Sequence, residues 1–203
     1  MDTNVHNIYP VYDAVEKRKE KEQLLRQRSC VIWLTGLSGA GKSTIGLGLE
    51  AELTKRGFFS QILDGDNIRN GINNNLGFSE ADRKENIRRI SEVAKLLMHS
   101  GVITICSFIS PTREIRTMAR NIIGDTDFVE VYVNTPIEIC EQRDIKGLYK
   151  KAREGKIPDF TGVSSPYEVP LNPEVEIKTE GLSIQQSVMY LLDYLIPRIT
   201  YTK

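Results

Sequence analysis

Two stretches of this 203-residue chain carry residue types and spacings suited to phosphoryl transfer. The first is "GLSGAGKST", Gly36 to Thr44, which matches G-x-x-x-x-G-K-[ST] at Gly36, Gly41, Lys42 and Ser43. Its glycines let backbone N–H groups across Leu37, Ser38, Gly39 and Ala40 converge on phosphate oxygens, and a following helix presents its positive end to them. Lys42 reaches the β- and γ-phosphates in such a loop, the Ser43 hydroxyl completes a Mg²⁺ shell, and Thr44 is the last of the nucleotide-binding residues. The second stretch is "DGDNIRNGINNNLGFSEADRKENIRR", Asp64 to Arg89. Asp64 and Asp66 bracket Gly65. One carboxylate could accept the acceptor hydroxyl's proton while the other orders the waters of Mg²⁺, with Ser43 and Asp64 as the metal's protein ligands. Arg69 and Arg83 have the fork geometry for a phosphate or sulfate, whereas Arg88 and Arg89 read as helix-surface charges. Phe78, between Gly77 and Ser79 in a polar loop, is either a core plug or a stacking platform for a base.

A phosphate loop requires a strand before it and a helix after it. Val31 to Leu34 supply the strand. In "KSTIGLGLEAELTKRG", Ile45, Leu49 and Leu53 recur at helical spacing and Gly57 marks the stop. Further along, apolar runs alternate with helical patterns, the signature of a parallel sheet covered by helices. The pattern predicts strands near 31–35, 61–64, 102–108, 128–134 and 174–178. It predicts helices near 42–56, 80–99, 113–123, 136–144 and 183–195. In the second of these helices Ile87, Ile90, Ala94 and Leu97 trace a buried stripe, and "SEAD" from Ser79 resembles a capping box. Asp64 then falls at the carboxyl end of the second strand, the edge where open α/β sheets bind ligands.

Residues 1–29 differ from the rest. "DAVEKRKEKEQLLRQRS" predicts an exposed, charged helix ahead of the first strand, read either as a solvated arm or as a partner-binding one. Asp144 to Pro173 holds most of the irregular length, basic at first and then turn-rich. A stretch this long within a compact domain points to a lid, at about 145–165. The remaining residues, 30–203, suit one α/β domain. Formal net charge is zero, so no global field draws nucleic acid or membrane. Cys30, Cys106 and Cys140 have no metal-ligand spacing and read as buried thiols of a reducing compartment. No apolar run reaches membrane-spanning length and no leader-like segment opens the chain, which predicts a soluble, cytoplasmic protein.

"GLSGAGKST", "LDGDNIRNGINNNLGFSEADRKENIRRI", "SFISP" and "KGLYKKAREGKIPDFTG", in this order, resemble the adenylylsulfate kinase family over roughly Cys30 to Leu195. The resemblance implies transfer of the γ-phosphate of MgATP to the 3′-hydroxyl of adenosine 5′-phosphosulfate (APS), giving 3′-phosphoadenylyl sulfate. It implies a P-loop NTPase-like α/β/α fold with a five-stranded parallel sheet in the order 2-3-1-4-5. It places Asp66, Asn67, Ile68, Arg69, Phe78, Arg83, Asn86, Ile109, Ser110, Gly147, Phe160 and Thr161 at the APS site, with Phe78 and Phe160 sandwiching the adenine. It places Arg143 on the ATP side. It also implies a phosphorylated intermediate at Ser110. Because Ser110 precedes Pro111, an extended backbone is expected there, and its hydroxyl could simply bond the substrate. With no nearby histidine to activate it, since the only two are His6 and His99, direct in-line transfer is the preferred reading. Thr112, Ile115 and Ser164 depart from the family pattern, beside the site rather than in it, and no sulfurylase segment is expected to follow. A homodimer is left open.

Two rivals remain at this level. One is a P-loop kinase of another small acceptor, against which the Phe78/Phe160 pair argues if the acceptor is a sugar acid. The other is a nucleotide-binding switch, against which the lack of an N-K-x-D signature argues.

Overall fold

The computed structural model of the protein describes residues 17–144 and 146–202. Most of the charged arm, with His6, and the first lid residue, Ile145, lie outside the described residues. Five parallel strands form one sheet in the order β2-β3-β1-β4-β5, as the family resemblance implies. They are β1 (Val31–Thr35), β2 (Ser60–Asp64), β3 (Ile103–Ser107), β4 (Phe128–Asn134) and β5 (Val175–Lys178). β1 lies at the centre, pairing Val31 with Thr104 on one side and Phe128 on the other.

The period of two along β1 distributes its side chains to two helical layers. Ile32 and Leu34 pack with Ile45, Leu49 and Leu53 of α2 (Lys42–Lys55) and with Val188, Leu191 and Leu195 of α8 (Ile184–Ile199). Val31 and Trp33 face Ile87, Ile90, Ala94 and Met98 of α4 (Glu80–His99) and Ile115, Ala119 and Ile123 of α5 (Arg113–Ile123). Met98 takes the buried place expected of Leu97, which is only partly covered. Ser79 caps α4 by accepting from the Asp82 backbone N–H, without the reciprocal bond of a full box.

Every connection on the functional side leaves the carboxyl end of a strand. The phosphate loop follows β1, α3 (Gly65–Asn70) follows β2, "FISP" follows β3, and α6 (Ile137–Arg143) follows β4. Two short helices, α3 and α7 (Leu148–Arg153), were not anticipated, and α8 runs on through Pro197 beyond its expected end. The helix ahead of β1 is α1 (Arg18–Leu25), which buries no residue. It is nonetheless anchored: Arg18 pairs with Asp127 at 2.7 Å and bonds the Ser29 carbonyl. Directly after it, the fully buried Gln27 side chain bonds both backbone polar groups of Phe59 and the carbonyl of Gly101.

Candidate active site

The donor half is built on backbone. Gly36 has φ 149°, and a Cβ there would stand 2.6 Å from the Val133 carbonyl oxygen, so only glycine lets the loop lie against β4. Gly41 enters α2 with no side-chain cap, which leaves the helix's first N–H groups for an anion. Lys42 is buried, and its ammonium donates to the carbonyls of Gly36 at 3.0 Å and Leu37 at 2.7 Å. Burial lowers its pKa to about 8. Ser43 Oγ donates to Asp64 Oδ2 at 2.6 Å and lies 3.3 Å from Ser107 Oγ. Asp64 also caps α3 through the Asp66 N–H. Thr44 is exposed on the first turn. Arg143 Nη1 lies over the loop, donating to the Gly39 carbonyl at 3.2 Å and the Ala40 carbonyl at 3.3 Å.

The acceptor half is built on charged side chains. The Phe78 ring is 62% exposed, with the Arg69 guanidinium 4.5 Å and that of Arg83 5.8 Å from its centroid. Ring burial of guanidinium surface is a cation–π arrangement, and it leaves much of the ring open. Burial lowers the pKa of both arginines, and the charge of Arg83 lowers that of Arg69 further. Two cations held this close form a ready site for an anion. Arg83 also ties the α4 start to the lid, donating to the carbonyls of Phe78 and Asp159, each at 2.7 Å, and to Thr161 Oγ1 at 3.2 Å. Asp66 is exposed and pairs with Lys146 of the lid. Asn67 is exposed next to it, and Ile68 packs against the second core layer. Asn86 is buried, accepting from Asn73 at 3.0 Å, and so steadies the 71–77 loop.

Three features mark residues 146–165. Phe160 is only 9% exposed and meets Tyr149 edge-on at 5.0 Å, so its ring packs into the core. The cations of this stretch have acidic partners: Lys146 pairs with Asp66, Arg153 with Glu141, and Lys156 with Glu154. Carboxylates on α3, α6 and the lid itself lie within reach. Gly147, at φ 64°, caps the start of α7, a conformation disfavoured for other residues.

Ser110 corrects the expectation of an extended backbone, since its φ is +41°. The Arg116 guanidinium donates to its carbonyl at 2.7 Å and to that of Glu168 at 2.6 Å, which holds the turn. The Ser110 side chain points inward: Oγ accepts from Trp33 Nε1 at 3.1 Å and donates to Thr35 Oγ1 at 3.1 Å. The neighbouring Ile109 carbonyl accepts from the Thr35 hydroxyl at 2.7 Å. The three departures from the family pattern do local work. Thr112 caps α5, Ile115 is core, and Ser164 Oγ accepts from the Phe160 N–H at 2.9 Å.

Sequence reasoning missed Thr35, Ser107, Arg116 and Tyr149. Tyr149 sits inside a quoted motif, and Ser107 opens "SFISP", so their positions were visible while their contacts were not. Among the described residues no cluster of three His, Cys, Asp or Glu could hold a metal alone. Ser43 and Asp64 are hard oxygen donors side by side, which suits a Mg²⁺ ion that draws its other ligands from phosphates and water.

The adenylylsulphate kinase family profile matches residues 28–178. An adenylyl-sulfate kinase of Bacteroides thetaiotaomicron is 60% identical over 194 residues, 96% of each chain. Among solved structures, the APS kinase of Mycobacterium tuberculosis in complex with AMPPNP and APS is 46% identical with a TM-score of 0.80, covering 83% of this chain and 98% of that one. A hexameric APS kinase from Thiobacillus denitrificans is 33% identical with a TM-score of 0.65, covering 88% of this chain and 30% of that one.

Proposed function

This chain belongs to the adenylylsulfate kinase family, and we propose on that premise how its two half-sites divide the reaction. The enzyme is an ATP-dependent phosphotransferase whose acceptor is adenosine 5′-phosphosulfate. The observation that carries the assignment is the placing of Lys42, Ser43 and Asp64 on the same sheet edge as the Arg69–Phe78–Arg83 cradle.

On the donor side, the loop from Gly36 to Thr44 wraps the triphosphate. Lys42 turns from its two carbonyls to the β- and γ-phosphates, and Arg143 lies beside the nucleotide. Ser43 and Asp64 hold Mg²⁺, which supplies charge neutralisation at the phosphates. On the acceptor side, Arg69 and Arg83 bind the phosphosulfate, and Phe78 and Phe160 flank the adenine. Asn67, Ile68, Asn86, Ile109, Gly147 and Thr161 complete the wall. Asp66 accepts the 3′-hydroxyl proton as the bond from the γ-phosphorus to the β–γ bridging oxygen breaks and the bond to the 3′-oxygen forms. Such transfer depends chiefly on positioning and fixed charge. Ser110 shapes this wall through its backbone, with its hydroxyl committed to Trp33 and Thr35. The lid, about 145–165, opens for exchange and closes over both nucleotides, excluding water that would otherwise take the phosphoryl group.

The buried thiols support a reducing, cytoplasmic setting, and the hexameric relative supports self-association, for which a dimer is the simplest form. Light scattering measures the latter directly. A radiometric assay with MgATP and a panel of acceptors, including APS, AMP and a sugar acid, tests the function. Selective labelling of APS at the 3′ position is expected. Labelling of another acceptor with APS inert would overturn the reading.

A further inference from the structure

Tyr149 is 3% exposed, yet it carries a hydroxyl that packing alone does not call for. That hydroxyl donates to the Ser38 carbonyl in the phosphate loop at 3.0 Å. Its ring edge meets Phe160 of the acceptor lid at 5.0 Å and 77°. Its backbone N–H donates to Asp144 Oδ1 at 3.0 Å, and that of Lys150 donates to Asp144 Oδ2 at 3.1 Å, fixing the first turn of α7 to the end of α6. One residue therefore touches the loop that holds the donor and the ring assigned to the acceptor. Phenylalanine would fill the same volume without a buried polar group, and a buried hydroxyl is unfavourable unless it is bonded. Burial raises the phenol's pKa above its ordinary value, so it stays a donor across the working range.

We propose that Tyr149 is a positioning residue that couples the phosphate loop to the acceptor lid through its bond to Ser38 and its contact with Phe160. The part of this proposal that concerns APS rests on the reading of Phe160 as an acceptor contact. A triphosphate that orders the loop fixes the Ser38 carbonyl. The carbonyl fixes the tyrosine, and the tyrosine holds α7 and Phe160 in the docked arrangement. Ordering already done by the first ligand need not be done by the second, so each nucleotide tightens the other by the same factor.

The test is Tyr149→Phe, which removes the hydroxyl and keeps the ring. Titration calorimetry gives APS affinity with and without saturating AMPPNP, and the ratio is the coupling factor. The wild type is expected to bind APS more tightly with AMPPNP present. The variant is expected to lose about 2- to 10-fold of that factor, the size of one neutral hydrogen bond. Its KM for APS should rise while kcat at saturation and the affinity for AMPPNP alone change less than about twofold, a split that lost fold stability would not produce. Hydrogen exchange across Leu148–Arg153 with AMPPNP alone reads the link without APS: protection should rise in the wild type and not in Tyr149→Phe. Equal protection, or an unchanged coupling factor, overturns the proposal while leaving the function standing. If wild-type enzyme fails to phosphorylate APS, the function fails instead, and hydrogen exchange still decides the link from Tyr149 to the loop.

Discussion

The two halves of the site are made of different materials. The donor half is backbone and buried side chain: Gly36 lies against Val133, Lys42 is sealed over its own loop, and the strand beneath is wholly buried. The acceptor half is long charged side chains from three distant segments, α3, the start of α4 and the lid, joined by Arg83 and the Asp66–Lys146 pair. A phosphate chain is common to every nucleotide, so its binder can be a fixed cradle set into the core. The acceptor must be told from its relatives, and on the proposed reading its binder is assembled from parts that come together when the lid docks. Exposed ion pairs contribute little each, so the docked lid depends on Phe160, Tyr149 and the bridges made by Arg83. Damage to the donor half should therefore abolish chemistry, whereas damage to the acceptor half should change which molecule is used and how tightly.

Lys42→Ala gives the largest effect. It removes the buried charge proposed to meet the β- and γ-phosphates, and turnover should fall by at least about 100-fold, as for other pre-aimed charge stabilisers. Steady-state kinetics on protein with an unchanged circular-dichroism spectrum checks it. Turnover near normal in a folded variant would remove the donor half from the comparison.

Next are the rings. Phe78→Ala should weaken APS binding by about 5- to 150-fold, by analogy with single bases stacked on aromatic residues, and leave AMPPNP binding nearly unchanged. Because Phe78 is exposed, this variant should melt close to wild type. Phe160→Leu should weaken APS binding too, but with a measurable loss of thermal stability, since that ring belongs to the core. Calorimetry with the two nucleotides separates these outcomes, and equal losses for both would mean that the rings do not distinguish the half-sites.

The third prediction uses pH to probe the donor half alone. Burial holds the Lys42 pKa at about 8 in the free protein, and bound phosphate, being anionic, must raise it. A group whose pKa is raised on binding contributes fully below its free value and loses that contribution as pH rises above it. AMPPNP affinity should therefore be flat below pH 8 and fall by up to about tenfold per unit above it, until the bound-state pKa is reached. The decline should be absent in Lys42→Met. A decline of the same size in that variant would move the titrating group elsewhere.

Much of this was legible in the sequence, and the boundary follows the range of the interactions. All five strands, the four long helices and α6 were found within a few residues, because strands buried on both faces and amphipathic helices write their contacts as short periods. The phosphate loop was legible because its spacing is its mechanism. α7 was not, since its apolar face of Leu148, Tyr149 and Ala152 spans little more than one turn and that turn is held by Asp144, reached back across Gly147. Gln27 was not, because nothing in "RQRS" shows that one amide will bond Phe59 and Gly101, which lie 32 and 74 residues away. The strand order and the APS positions came from family likeness, since no period in a single sequence encodes which strand lies beside which. The Ser110 turn was misread for a related reason. The local rule for a residue before proline favours an extended backbone, and Arg116, six residues on and buried, overrides it.

That serine also gives the smallest effect, and the one that separates two chemistries. If the phosphoryl group passes through Ser110, its Oγ must reach the γ-phosphorus and lose its proton to a base. In this fold Oγ belongs to a residue 2% exposed, accepts from Trp33 and donates to Thr35. The φ of +41° and the two carbonyl bonds of Arg116 hold the turn that aims it inward. Freeing it would leave the Trp33 N–H unpaired in the core, at about 1–3 kcal/mol, before any chemistry began. Ser110→Ala incurs the same orphaned donor and should therefore lower the melting temperature. If transfer is in line, however, kcat should fall by less than about tenfold, through slight movement of the Ile109 wall, and no label from γ-labelled ATP should stay on the wild-type protein after rapid quench. Loss of kcat by several orders of magnitude in a folded Ser110→Ala protein, together with acid-stable label on wild-type serine, would show that the turn opens during catalysis and that the acceptor half takes part in the bond-making itself.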